Sequence, residues 1–140
     1  MNLRKPAAVA ASAVVMSLGL TACGGGQSVE DACKIANEEA TKATQDLSSV
    51  SPTDPAGSAD TISDLQGTLQ STADDLENEE VKTEVSKLAD QFGELSSALG
   101  DLDAAGEDPD AMQEAAGQLT DLSGEIMDQA RTLNELCNNS

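Results

Sequence analysis

Hydrophobic residues fall in four stretches of this chain, at the three- and four-residue steps that put them on one face of an α-helix. In the first stretch, about 28–50, Val29, Ala36, Ala43 and Val50 form one register, and Cys33, Ala40 and Leu47 fill the second. Ser28 stands where a cap is needed, and Glu30 and Asp31 fall in the first turn, where exposed N–H groups favour acidic side chains. Pro52, Pro55 and Gly57 then predict a loop over 51–57. The second stretch, about 58–77, carries Ile62, Leu65, Leu69, Ala73 and Leu76. The third, about 79–102, has the most regular stripe: Val81, Val85, Leu88, Phe92, Leu95, Leu99 and Leu102 alternate by four and three.

Between Leu76 and Val81 the apolar spacing slips to five. Five residues turn a helix by about 500°, which swings the stripe about 140° off its face. A tight turn around Asn78 accommodates the slip, and one long helix of broken phase is the alternative. Gly100 and Gly106 weaken or end the third helix. Asp108 and Pro109 are the cap and first-turn residues of a fourth, about 109–137. Its stripe is Met112, Ala115 or Ala116, Leu119, Leu122, Ile126, Ala130, Leu133 and Leu136. Each stretch has one apolar and one acidic face, and none would be very stable alone in water. Packing the stripes together predicts an all-α four-helix bundle. Alanine fills many seam positions and Phe92 is the one aromatic residue, so the core should be thin.

The residues before the first helix follow different rules. Arg4 and Lys5 precede a run of small and apolar residues from 7 to 20, the order of an export signal. At about 15 residues the run is short for crossing a bilayer. It ends Leu20-Thr21-Ala22-Cys23, followed by Gly24, Gly25 and Gly26. This segment resembles the lipobox of bacterial lipoproteins. The resemblance covers residues 1 to about 26, and it implies cleavage before Cys23, a diacylglyceryl thioether on its sulfur and often a further N-terminal acyl chain. Residues 1–22 would then be the signal peptide and 23–27 a lipidated cysteine with a flexible glycine tether, followed by a bundle over 28–137. Two or more acyl chains would hold the protein on the extracytoplasmic face of the cell membrane. The alanine-rich, lysine-poor composition resembles that of envelope lipoproteins of high-GC Gram-positive bacteria. The secreted WXG-type helical hairpins are a poor comparison, because the chain has no tryptophan and favours four short helices.

Charge narrows the partners. The formal net charge is −19. Losing residues 1–22 would remove Arg4 and Lys5 and leave Lys34, Lys42, Lys82, Lys87 and Arg131 against all 26 acidic residues. No basic patch exists to neutralise phosphates, which argues against nucleic acid. An anionic lipid surface would repel the body, leaving the acyl chains as the attachment.

Export permits a disulfide between the remaining cysteines, Cys33 near the start of the first helix and Cys137 near the end of the fourth. In an up-down-up-down bundle these positions share one end. In a three-helix up-down-up bundle they would lie at opposite ends, too far apart to bond. Pairing and topology therefore support each other. A redox or metal role is disfavoured by the lack of a CxxC motif and of any histidine.

The absence of histidine also excludes a His-based triad, and no phosphate-binding or dinucleotide-binding loop is present. Paired carboxylates could act in a glycosidase, but nothing here suggests a sugar-holding cleft. The expectation is a protein without enzymatic activity and without a cofactor. No metal site is expected; the best place for a cation is the loop holding Asp101, Asp103, Glu107, Asp108 and Asp110, with Asp101, Asp103 and Asp108 as its weak candidate ligands. Counted from Asp101, Gly106 matches the EF-hand glycine, but Ala105, Pro109 and Met112 occupy ligand positions, so the loop fails as an EF-hand. The leading expectation is an accessory module engaging an envelope or membrane protein. An acidic structural spacer without a specific partner is the second, and a low-affinity cation or small-ligand binding protein the third.

Overall fold

The computed structural model describes residues 26–47, 50–51 and 53–139. The expectations for residues 1–22, Cys23, Gly24, Gly25 and Pro52, and for the side chain of Leu47, lie outside the described residues. The protein is an all-α, up-down-up-down four-helix bundle: α1 (Val29–Leu47), α2 (Pro55–Asp75), α3 (Glu79–Ala105) and α4 (Pro109–Asn138).

Short polar side chains set the helix starts. Ser28 Oγ accepts from Asp31 N at 3.1 Å, and its hydroxyl donates to the Asp31 carboxylate at 2.8 Å. Asp54 caps α2 by accepting from Gly57 N at 3.1 Å. This starts α2 at Pro55, three residues before the predicted 58. Proline suits a first helical position, where its missing N–H forfeits no helical bond, so the expected loop is shorter than its prolines suggested. Ser58 is buried at this corner, where its hydroxyl accepts from Ser51 N at 3.1 Å and donates to Ser51 O at 2.9 Å. Asn78 Oδ1 accepts from Val81 N at 3.1 Å, so α2 and α3 are separate helices joined by a tight turn. Gly100 lies within α3, which ends at Ala105 and is capped by Gly106, whose φ of 56° favours glycine.

The buried face of α2 is the predicted one: Ile62, Leu65, Leu69, Ala73 and Leu76. It meets Val81, Val85, Leu88, Ala89 and Phe92 of α3, and Ala32, Cys33, Ala36 and Ala43 of α1, in one core. Helix α4 departs from the predicted pattern. It buries Ala115 and Leu133, while Leu119, Leu122, Ile126 and Leu136 are half-buried. Met112 is 43% exposed, and Ala116 and Ala130 face solvent. The physical reason is neighbourhood. Helix α4 packs along α3, has no close backbone approach to α2 among the described residues, and meets α1 at few places. A helix with one full-length neighbour buries a narrower strip than one enclosed by two.

The Cys33–Cys137 disulfide links α1 to α4, with Cα atoms 5.5 Å apart. At the same end, Gln27 Oε1 accepts from Glu77 N at 3.3 Å and Gln27 O accepts from Asn78 Nδ2 at 3.2 Å. The entry to α1, the α2–α3 turn and the end of α4 are thereby tied together. Helices α3 and α4, at 27 and 30 residues, are about 40 and 45 Å long, against roughly 30 Å for α1 and α2. Ser96 Oγ donates to Ala59 O at 2.8 Å, which sets the start of α2 beside the last turns of α3.

Cys137→Ser should lower stability, with about 4.7 kcal/mol as the upper guide for a closed loop of about 100 residues. Hydrogen exchange should show α1 losing protection first, because its buried face is mostly alanine; uniform loss across all four helices would contradict this. Gln91 Oε1 is buried without a hydrogen-bond partner. Replacing Gln91 with Met should therefore raise stability by roughly 1 kcal/mol in urea unfolding, whereas a destabilised variant would show that the amide is satisfied in solution.

Candidate functional site

A shallow groove follows the back of the α3–α4 hairpin. Helical spacing places Asp90, Glu94 and Asp101 along one edge of α3, with Ser97 among them. On α4, Glu114, Asp121 and Glu125 lie along the facing edge, with Gln118 among them. Buried Ala98 and Ala115 let the two helices approach closely, since neither presents bulk at the seam. Leu122 and Ala98 supply the apolar floor of a groove of about 830 Å³. Asp101 and Gln118 also line a second hollow that includes Ala115 and Glu114, which continues the groove toward the α3–α4 turn. Gln66 of α2 closes the other end: its side chain lies across Gly93, where an added Cβ would meet Gln66 Nε2 at 2.5 Å.

The charge distribution is lopsided. No lysine or arginine occurs between Lys87 and Arg131, a stretch that includes both acidic edges. Lys34, Lys82, Lys87 and Arg131 lie in the disulfide-linked half of the molecule, Lys87 paired with Glu84 at 2.8 Å and Arg131 with Asp128 at 3.0 Å, and Lys42, farther along α1, is paired with Glu39. Like charges along two parallel edges add to a local negative potential that favours cations over the groove.

A polar clamp holds α4 to α3 in the disulfide-linked half. Glu84 accepts hydrogen bonds from Lys87 Nζ and from Gln129 Nε2, and Gln129 Nε2 also donates to Glu84 O at 3.3 Å. The bond from Lys87, then that from Gln129, holds the Glu84 carboxyl below its ordinary pKa. Gln129 takes an inward position on α4 that the apolar pattern had assigned to Ala130.

The candidate cation ligands are dispersed in role. Asp101 borders the groove. The backbone carbonyl of Asp103 accepts from Gly106 N at 3.3 Å, and the Asp108 side chain caps α4 by accepting from Asp110 N at 3.0 Å and Ala111 N at 3.3 Å. Among the described residues, no three His, Cys, Asp or Glu side chains converge to hold a metal ion. Cys33 and Cys137 are joined, and Cys23 lies outside the described residues. The groove was not anticipated from the sequence. Its signals were the acidic rows at 90, 94, 101 and at 114, 121, 125, together with the basic-free interval around them. No known family model, curated protein or solved structure matches the chain.

Because the folded-state pKa of Glu84 is depressed, its stabilising contribution is present above the unfolded glutamate value and is lost as pH falls through the folded one. Glu84→Gln should cost roughly 1 kcal/mol at neutral pH. In urea titrations the gap to the parent should begin to narrow near about pH 4.3 and close below the depressed value. A gap independent of pH would assign the effect to packing instead of charge.

Proposed function

We propose that the protein is a non-catalytic, lipid-anchored accessory module on the extracytoplasmic face of the cell membrane, holding its bundle against a membrane or envelope protein. The observation that carries this reading is the Cys33–Cys137 disulfide, because such a bond persists in an oxidising compartment and the chain begins with an export-type segment. The Leu20-Thr21-Ala22-Cys23 segment supports the anchor. The hydrogen bonds of Gln27 favour a geometry in which the tether leaves from the disulfide end, since Gln27 is held to the α2–α3 turn there. The α3–α4 turn would then be the end remote from the membrane, and the acid-edged groove would face outward along the hairpin. The surface charge favours a second reading, an acidic spacer without a specific partner. Exchange of residues 28–137 for an unrelated acidic bundle separates the two, since a spacer tolerates the exchange and an accessory module does not.

Cys23→Ala should move the protein out of the membrane fraction and abolish any partner recovered by in-cell crosslinking with the anchored form. Retention of the variant in washed membranes would overturn the lipid anchor. Equal recovery of the same partner by both forms would show that the anchor is not needed for the association.

A further inference from the structure

The accessory-module reading leaves open which surface meets the partner, and the inference below rests on that reading. The groove joins two independent features. One is shape: a strip runs between the facing edges of α3 and α4, floored by Ala98 and Leu122 and closed at one end by Gln66 of α2. The other is charge: the walls are acidic at matching helical intervals, and no basic residue occurs between Lys87 and Arg131.

We propose that this groove docks a cationic amphipathic helix of a partner protein. Between Asp90 and Asp101 the α3 wall rises about 16 Å, a length that about three turns of a second helix would match. A helix laid between two antiparallel helices presents its own side chains at the same three- and four-residue steps as the walls. Alanine, serine or leucine on its inward stripe would meet the small-residue floor, and lysine or arginine on both flanks would reach the carboxylates. A second copy of this chain fits poorly, because its long helices α3 and α4 carry the same uncompensated acidic edges. An anionic lipid surface is repelled for the same reason.

The test uses the full protein purified from membranes in neutral detergent, at physiological salt. The probe is a labelled 14-residue peptide with an alanine–leucine stripe flanked on both sides by lysines, read by fluorescence anisotropy. Its control is a scrambled peptide of identical composition. The ordered peptide should bind at least tenfold more tightly than the scrambled one. Asp90→Asn, Glu94→Gln and Asp101→Asn together should weaken it at least tenfold. Glu38→Gln, Asp60→Asn and Asp74→Asn, which remove equal charge elsewhere, should change it no more than twofold. Ser97→Trp, which fills the groove at constant charge, should weaken binding at least fivefold.

Equal binding of the two peptides, equal effects of the two triple variants, or full binding by the tryptophan variant would reduce the attraction to general charge and overturn the proposal, as would no binding at all. A sedimenting dimer that Ser97→Trp dissociates would assign the groove to a second copy instead. These outcomes leave the accessory reading standing, because that reading rests on Cys23-dependent crosslinking; loss of the crosslinking with groove binding intact would do the reverse.

Discussion

The bond between Cys33 and Cys137 determines how the other contacts of the bundle can form. Helix α1 has thin means of its own for staying on the domain: Ala32, Ala36 and Ala43 bury little area, and Ile35 on its outer side is partly exposed. Helix α4 lies along α3 and meets α1 sparingly. Without the covalent link, α1 would be held by its alanine-rich face on α2 and α3, and α4 by its packing along α3. With it, the first and last helices share an end and close most of the domain into one loop. The entropy removed from the unfolded chain by such closure is large compared with the marginal net stability of small domains.

That arrangement leaves the α3–α4 hairpin partly uncovered. The two long helices extend beyond the shorter α1 and α2, and their shared seam uses Ala98 and Ala115 where the α2–α3 core uses Leu, Val and Phe. Small residues bring the helices close and push larger ones to the flanks, where Leu122 becomes groove floor and Leu119 stays half-exposed. The groove thus follows from the same economy of side-chain volume that makes the core thin. Close approach of two helices supplies the concavity, and the acidic outer positions of each helix supply its walls.

Charge works in two ways in this molecule. Across the surface it is repulsive, so added salt should steady the bundle by screening. At the α3–α4 contact it is cohesive: Glu84 is held by Lys87 from its own helix and by Gln129 from the next. The basic residues near the disulfide end soften repulsion there, whereas the interval from 88 to 130 has none. The facing edges of α3 and α4 therefore carry negative charge with no basic residue of their own stretch to offset it.

Much of this was legible in the sequence, for identifiable reasons. Helical periodicity located the four helices; Ser28 and Asp108 marked two starts, and the five-residue slip after Leu76 marked the α2–α3 turn. The cysteine positions and an even number of antiparallel helices supported each other, and the Cys33–Cys137 disulfide is present. These are local or pairwise signals, readable because helix geometry maps chain spacing onto faces. The start of α2 was misplaced because Pro55 reads as a loop residue until Asp54 is seen capping it. The α4 stripe was overestimated at Met112 and Ala130, because periodicity shows that a face is apolar but not how many neighbours cover it. That coverage, the inward turn of Gln129 and the groove between two acidic edges depend on which helices touch. The tertiary structure decided these features, because they arise from α4 packing on α3 without a close backbone approach to α2, a relation between distant segments that no local spacing encodes.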